Sequence, residues 1–270
     1  MTTKPVAAKA NESFWRQLTV GRLAGLGRIT IFGTSSVAWM FKRPSRVNLV
    51  VDEMEFVGNQ SLFIVCLTAG FTGAVFAYQS YLALKLVGTE SLVGTSVAIA
   101  LARELGPVMT GLVVTGRAGA AMAAKLGIMR VTEQIDALEV MAVSPKQYLV
   151  GPKIVASIFS LPLLTAIFGL LGNLGAYLVA VYVCGIDAGI YVAKLKYYLY
   201  PWDVYHGLIK AAVFGGVLSL IGCYKGYTAR NGAEGVGRAT NEAVVYSMVT
   251  ILILDYFLSV LLPSGYRTQG

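Results

Sequence analysis

The chain has 270 residues, 56% of them hydrophobic and only 13% charged, which is too apolar for an ordinary soluble domain. Its 22 basic and 14 acidic residues leave a net charge of +8, but no basic stripe interleaved with aromatics appears, which argues against nucleic-acid binding. Several apolar stretches of about 20 residues can each cross a bilayer, so the fold class is an all-α integral membrane protein.

Residues 1–12 are polar and lack an apolar h-region, so no signal peptide is expected. Residues 14–41 read as an N-terminal interfacial amphipathic helix. Phe14, Leu18, Ile29 and Phe32 share one face, flanked by Trp15 and Leu26, while Arg16 and Arg28 lie elsewhere and Arg22 intrudes on the apolar side. An ordinary surface helix carries the same pattern, so both readings stand. Lys42-Arg43-Pro44 closes the segment.

Five transmembrane helices are predicted, over residues 62–84, 92–124, 154–183, 204–223 and 243–262. The second should kink at Gly106-Pro107, and the third contains Pro162 and the small residues Gly169, Gly172 and Gly175. The expected organisation is a tail and interfacial helix over 1–60, a five-helix membrane domain over 61–263, and a short tail over 264–270. Cys66, Cys184 and Cys223 are scattered without metal-ligand spacing and His206 stands alone, so no metal site is expected.

Five spans place the termini on opposite sides. Lys and Arg number eight in residues 1–60, four in 125–153 and three in 225–238, against four on the other side: Lys85, Lys194, Lys196 and Arg267. The N-terminus and the segment between spans two and three should therefore be cytoplasmic, and the C-terminus outside.

That segment is sharply two-faced. Glu133, Asp136 and Glu139 recur at i, i+3, i+6, and Ile135, Leu138 and Met141 form a second stripe at the same spacing. With Thr132 as the expected N-cap and acids in the first turns, the pattern predicts a short helix over about 132–142. Such a helix at a membrane surface is built to be touched by a partner.

Two small-residue rows run along the second span, Gly116/Ala120/Ala124 and Gly119/Ala123/Gly127. Rows of this kind let helix backbones approach closely, within a protomer or across a dimer; Gly and Ala are also simply common in spans. Four ionisable groups fall near one depth in the outer half of the bilayer: Arg103, Glu104, Lys210 and Asp255. Each costs roughly 2.5–3.5 kcal/mol to place there alone, so a shared polar cluster is expected. Arg103 is expected to pair with Asp255 and Glu104 with Lys210. The cluster reads either as an ion-pair network that fixes packing or as a polar patch beside an apolar cavity, shaped for an amphiphile's headgroup. Arg117, deeper on the cytoplasmic half, should snorkel or meet backbone carbonyls.

The stretch from Gly111 to Ala118 echoes a phosphate loop but lacks its Lys and Ser/Thr and lies in an apolar helix. The run Gly232, Gly235, Gly237 lacks nucleotide-binding context and reads as a flexible loop. No ATP-hydrolysing machinery is evident, so a pump built on this chain needs its energy, with ATP and Mg, from another subunit.

The stretches Ala102-Arg-Glu-Leu-Gly-Pro107, Gly116-Arg-Ala-Gly119 and Met129-Arg-Val-Thr-Glu-Gln-Ile-Asp-Ala-Leu138 closely resemble the MlaE permease family. That family comprises the membrane subunits of bacterial ABC transporters that work with MCE proteins. The likeness continues through Leu161-Pro162, Gly207-Leu-Ile-Lys210, Phe214-Gly215, Cys223-Tyr224, residues 232–240 and Asp255-Tyr256, and Glu133-Gln134-x-Asp136-Ala137-Leu138 matches the family's EQxDAL signature.

The resemblance implies a homodimer of five-span permeases in the bacterial inner membrane. Two cytoplasmic ABC ATPase subunits would dock around Glu133, Gln134, Ile135, Asp136, Ala137, Leu138, Glu139 and Met141. A hexameric MCE-domain protein would sit on the outer face, in some systems with a STAS-domain subunit on the ATPase. The implied cargo is phospholipid moving between inner and outer membranes, with no catalysis in this chain. Lipid tails are expected against Phe76, Tyr78, Tyr81 and Tyr256, headgroups near Arg103, Glu104, Lys210 and Asp255, and tight packing at Gly116, Gly119, Ala120 and Ala123. The alternatives are an ion-coupled secondary transporter whose carboxylates relay protons, or a non-transporting scaffold for MCE and STAS partners.

Overall fold

The computed structural model describes residues 47–262, together with Gly27, Phe32 and Gly33. All regular structure among the described residues is helical. We label the helices α1 (Val47–Lys85), α2 (Glu90–Val131), α3 (Gln134–Val140), α4 (Lys146–Val183), α5 (Ala188–Tyr198), α6 (Pro201–Tyr227) and α7 (Gly232–Leu261). Five of these, α1, α2, α4, α6 and α7, are long and apolar enough to cross a membrane. α3 and α5 join successive spans at opposite ends of the bundle.

The expected interfacial helix over 14–41 lies outside the described residues except at Gly27, Phe32 and Gly33. Phe32 is buried, as its place on the apolar face suggested, against Leu126, Val150, Ile154 and Cys223. Its ring meets Tyr224 and Tyr227 edge-on or tilted, at 5.6 and 5.5 Å.

The spans exceed their sequence-predicted bounds because charged residues near the ends are neutralised by packing. α1 is already helical at Val47, well before residue 62. The carboxylate of Glu53, in the added turns, forms an ion pair with Lys153, an almost wholly buried lysine near the start of α4. α7 begins at Gly232, so the glycine run expected as a flexible loop instead opens the last helix. Asn231 and Gly232 both adopt left-handed backbone to reverse the chain after α6, and a Cβ at Gly235 would collide with the Arg230 carbonyl. The glycines serve a tight corner.

α2 does not break at Gly106-Pro107. A π-helical turn, Leu101–Leu105, precedes the proline, and Gly106 N–H bonds to the Leu101 carbonyl. The wide turn accommodates a residue that has no N–H to give, so the helix continues.

Close backbone approach holds the bundle together. A Cβ at Gly73 of α1 would strike the Gly172 carbonyl of α4, and one at Gly175 the Gly70 carbonyl. The core then fills with Val65, Ala69, Leu101, Val114, Phe168, Phe214 and Leu218, all buried. α5 was not anticipated, although Asp187 caps it by accepting from Ile190 N–H at 2.9 Å. Tyr191 of α5 plugs the end of the bundle over Gly94, and burial, then neighbouring Tyr177, push its phenol up to about 12.

Candidate functional site: a buried polar layer and a surface helix

The polar layer is organised by α6, on which Asp203, His206 and Lys210 share one face at i, i+3, i+7. All three are buried. The face reaches α2 because Gly207 has no side chain: a Cβ there would meet the Ala102 carbonyl. That carbonyl sits within the π turn, five residues before Pro107, which cannot donate to it. The Gly-Pro pair and the facing glycine thus bring Arg103 and Glu104 within reach of α6.

Lys210 Nζ is completely buried and donates to Glu104 Oε2 at 2.6 Å, Asp255 Oδ1 at 3.1 Å and Ser259 Oγ at 2.7 Å. Ser259 Oγ is also 3.0 Å from Glu104 Oε2. One ammonium therefore joins carboxylates from α2 and α7, and burial without them would cost several kcal/mol, on the order of the penalty for an unpaired interior ion. The expected Glu104–Lys210 pair forms. The expected Arg103–Asp255 pair does not, because Lys210 already occupies Asp255 and the adjacent Arg103 points off the other side of the helix. Arg103 instead bonds through Nε to Asp203 Oδ1 at 2.5 Å. Asp203 also accepts from Tyr200 N–H at 3.0 Å, closing the first turn of α6.

The layer is unevenly covered. The side chain of Lys210 is sealed, whereas that of Glu104 is 43% exposed. The geometry presents a carboxylate, backed by a buried cation, to whatever lies beside α2 and α7.

Arg117 of α2 meets backbone carbonyls as expected. Its guanidinium donates to the Phe56 and Val57 carbonyls, to Ser61 Oγ at 2.8 Å and to Gln60 Oε1 at 2.9 Å, and lies over the Phe56 ring. Phe56 and Val57 belong to the π turn Glu55–Asn59 of α1, and Arg117 to the π turn Thr115–Gly119 of α2.

α3 is helical from Gln134 to Val140, but Thr132 is not its N-cap. The Thr132 hydroxyl donates back to the Ile128 carbonyl at 2.8 Å and so belongs to the end of α2. Glu133 takes left-handed backbone between the two helices, and Ala142 does so just past the far end. Ile135 is fully buried and Leu138 half-buried, whereas Met141, expected on the same stripe, is exposed. Asp136 pairs with Arg130, and Glu139 accepts from the Tyr227 hydroxyl at 3.2 Å.

Residues 50–261 match the family model described as Permease MlaE. The chain belongs to the MlaE permease family. A Rickettsia bellii protein named probable ABC transporter permease protein is 42% identical over 241 residues, 89% of this chain and 93% of the relative. The chloroplastic protein TRIGALACTOSYLDIACYLGLYCEROL 1 of Arabidopsis thaliana is 37% identical over 245 residues, 91% of this chain and 67% of its own. The Haemophilus influenzae intermembrane phospholipid transport system permease protein MlaE is 36% identical over 215 residues, 79% of this chain and 82% of the relative.

As an MlaE-family permease the chain is a multi-pass membrane protein. Of the residues expected to line a lipid pocket, Phe76 and Tyr81 lie half-buried against the core, and Tyr78 and Tyr256 are exposed on α1 and α7. Lys85 donates to the Tyr81 hydroxyl at 3.3 Å. The row Gly119/Ala123 packs inside the protomer, facing Gly222 and Gly226 of α6. Gly116 is exposed near Met248 of α7, and Ala120 is half-buried. Sequence reasoning missed Asp203 and the Glu53–Lys153 pair. Asp203 follows Pro201 by two residues and passes for a helix-start residue; its distance from Arg103, 100 positions away, was not legible.

Proposed function

We propose that this chain is the membrane permease of an ABC-type transporter that moves phospholipids between inner and outer membranes. The observation that carries the proposal is the half-open Glu104 carboxylate, backed by buried Lys210 and adjoining Ser259 of α7, a helix whose outer face is bare and apolar. A carboxylate left open at bilayer depth is unfavourable against lipid tails alone, but suits the headgroup end of an amphiphile or the water of a cavity. Exposed Phe71, Val75 and Tyr78 of α1 and Leu252, Ile253 and Tyr256 of α7 suit its tails. The names of the Rickettsia and Haemophilus relatives support both the transporter class and the cargo.

The working unit is a homodimer in the inner membrane, the bare face of α7 meeting its copy and the two Glu104 groups opening into a shared cavity. With the N-terminus cytoplasmic and the C-terminus outside, α3 is the coupling helix on which each of two ATPase subunits docks. ATP and Mg bind those subunits. An MCE hexamer receives lipid on the α5 side, and a STAS-domain subunit can join the ATPase.

The test is reconstitution of the co-purified complex with fluorescent phospholipid. ATP-dependent lipid transfer that is lost when the ATPase is stripped away supports the proposal. Transfer of solute by the isolated chain, or a complex that hydrolyses ATP with no lipid bound or moved, overturns it.

A further inference from the structure

The acidic stripe of α3 looks from sequence like the surface offered to a partner. The structure turns two of its three acids toward the protein itself. Asp136 pairs with Arg130 at the end of α2, and Glu139 accepts from the Tyr227 hydroxyl at the end of α6. The two anchors are themselves stacked, the Arg130 guanidinium lying 5.9 Å from the centroid of the Tyr227 ring. Tyr227 rests in turn on buried Phe32. The helix is thus held at two points, three residues apart along one face.

The ends of α3 are equally constrained. Ala142 N–H bonds to the Glu139 carbonyl and Val143 N–H to the Leu138 carbonyl, each at 3.0 Å. This closing pattern normally places glycine at the left-handed position, which here is Ala142. Glu133 is left-handed at the other end. Seven residues between two such corners have little helical stability of their own, so tertiary anchors decide where the helix points.

The engaged acids stay exposed, and beside them an apolar face is open as well. Glu133, Ala137, Val140 and Met141 recur at the spacing of one helical face, and Val140 and Met141 are 88% and 63% exposed. An exposed Val and Met on a short, fixed helix fit an apolar groove in a partner better than a basic one.

We propose that Arg130 and Tyr227 are positioning residues. They clamp α3 by Asp136 and Glu139 and so aim the Ala137–Val140–Met141 face at an apolar groove of the docked ATPase. This rests on the reading of α3 as the coupling helix. The clamp is an exposed ion pair with one further hydrogen bond, so its contribution to global stability is small. Its effect is on direction: a partner that pushes α3 moves the ends of α2 and α6 together, because each end holds the helix through its own contact.

The experiment has two arms. In the isolated permease, in a background lacking Cys66, Cys184 and Cys223, spin labels at Ala137→Cys and Thr228→Cys report the separation of α3 from the end of α6. A narrow distribution that broadens in Arg130→Gln combined with Tyr227→Phe is the expected result, with Arg130→Lys restoring part of the order. An unchanged distribution in the double variant overturns the proposal, whatever α3 docks onto. In the complex with its ATPase, the same double variant should keep the full complement of ATPase while lipid moved per ATP falls by about fivefold or more, the scale of a modest coupling energy. Unchanged coupling there also overturns it. Exchanging the charges, Arg130→Asp with Asp136→Arg, should recover coupling that either single change loses. Val140→Asp should release the ATPase; retention of the ATPase in that variant breaks the coupling-helix reading, while the spin-label arm still decides the clamp.

Discussion

α6 and α7 are neighbours of similar length, 27 and 30 residues, yet 56% of the apolar window of α6 is buried and only 11% of that of α7. Hydrophobicity does not explain the difference, since α7 is the more apolar of the two over that window. α6 is enclosed because glycines at 207, 215, 222 and 226 admit the backbones of α2 and α4, and because its polar residues need partners inside. α7 brings Asp255 and Ser259 to Lys210 at one level, Glu242 to Lys225 at another, and leaves its remaining face bare. In a bilayer, close fit and polar pairing decide which helix is central, since lipid solvates an apolar face as well as protein does.

The contrast yields expectations that differ sharply between the two helices. Lys210→Met should have the largest effect, destabilising the fold by about 3–5 kcal/mol because Glu104 and Asp255 lose their shared cation. Thermal unfolding in detergent should show it, together with release of α7 to proteolysis. Glu104→Gln, at the open side of the layer, should unfold at nearly the native temperature, and equal losses would show that the layer is uniformly sealed. Next comes Gly215→Val on α6, whose new side chain would press on the Ser157 carbonyl and cost about 1–3 kcal/mol in the same assay. Gly237→Ala on α7 meets nothing within 4 Å and should instead stabilise by about 0.5–1 kcal/mol. The smallest effect on folding, within about 0.5 kcal/mol, should follow Leu252→Ala on the bare face. Its signature on the proposed dimer is loss of the subunit contact, read by cross-linking in membranes; a dimer that survives this and Val249→Ala would place the contact elsewhere.

Much of this was legible in the residues. Five apolar runs located the five spans, and the shared depth of Arg103, Glu104, Lys210 and Asp255 placed them in one layer. Where the sequence misled, tertiary pairing had overridden a local signal. Residues 47–60, assigned with the tail and interfacial helix, belong to α1; Lys153, about 100 residues on, was not visible beside Glu53. The glycines at 232–237 signalled a loop when they serve a tight corner. At Gly106-Pro107 the helix continues through a π turn that no sequence signal announced. Thr132 looked like a cap and proved to close the preceding helix. For Arg103, periodicity fixed the side of α2 it occupies but could not choose between Asp203 and Asp255, which lie at different levels on different helices. Within the segment 14–41, Phe32 packs inward, as its place on the apolar face suggested.

Asp203 has two obligations. One oxygen closes the opening turn of α6 against Tyr200, just after α5, and the other neutralises Arg103, the immediate neighbour of Glu104. Asp203 therefore ties the loop that carries Tyr200 to the stretch of α2 that holds Glu104 to Lys210. The start of α6 and the polar layer thus share one anchor, a single carboxylate whose loss would slacken both.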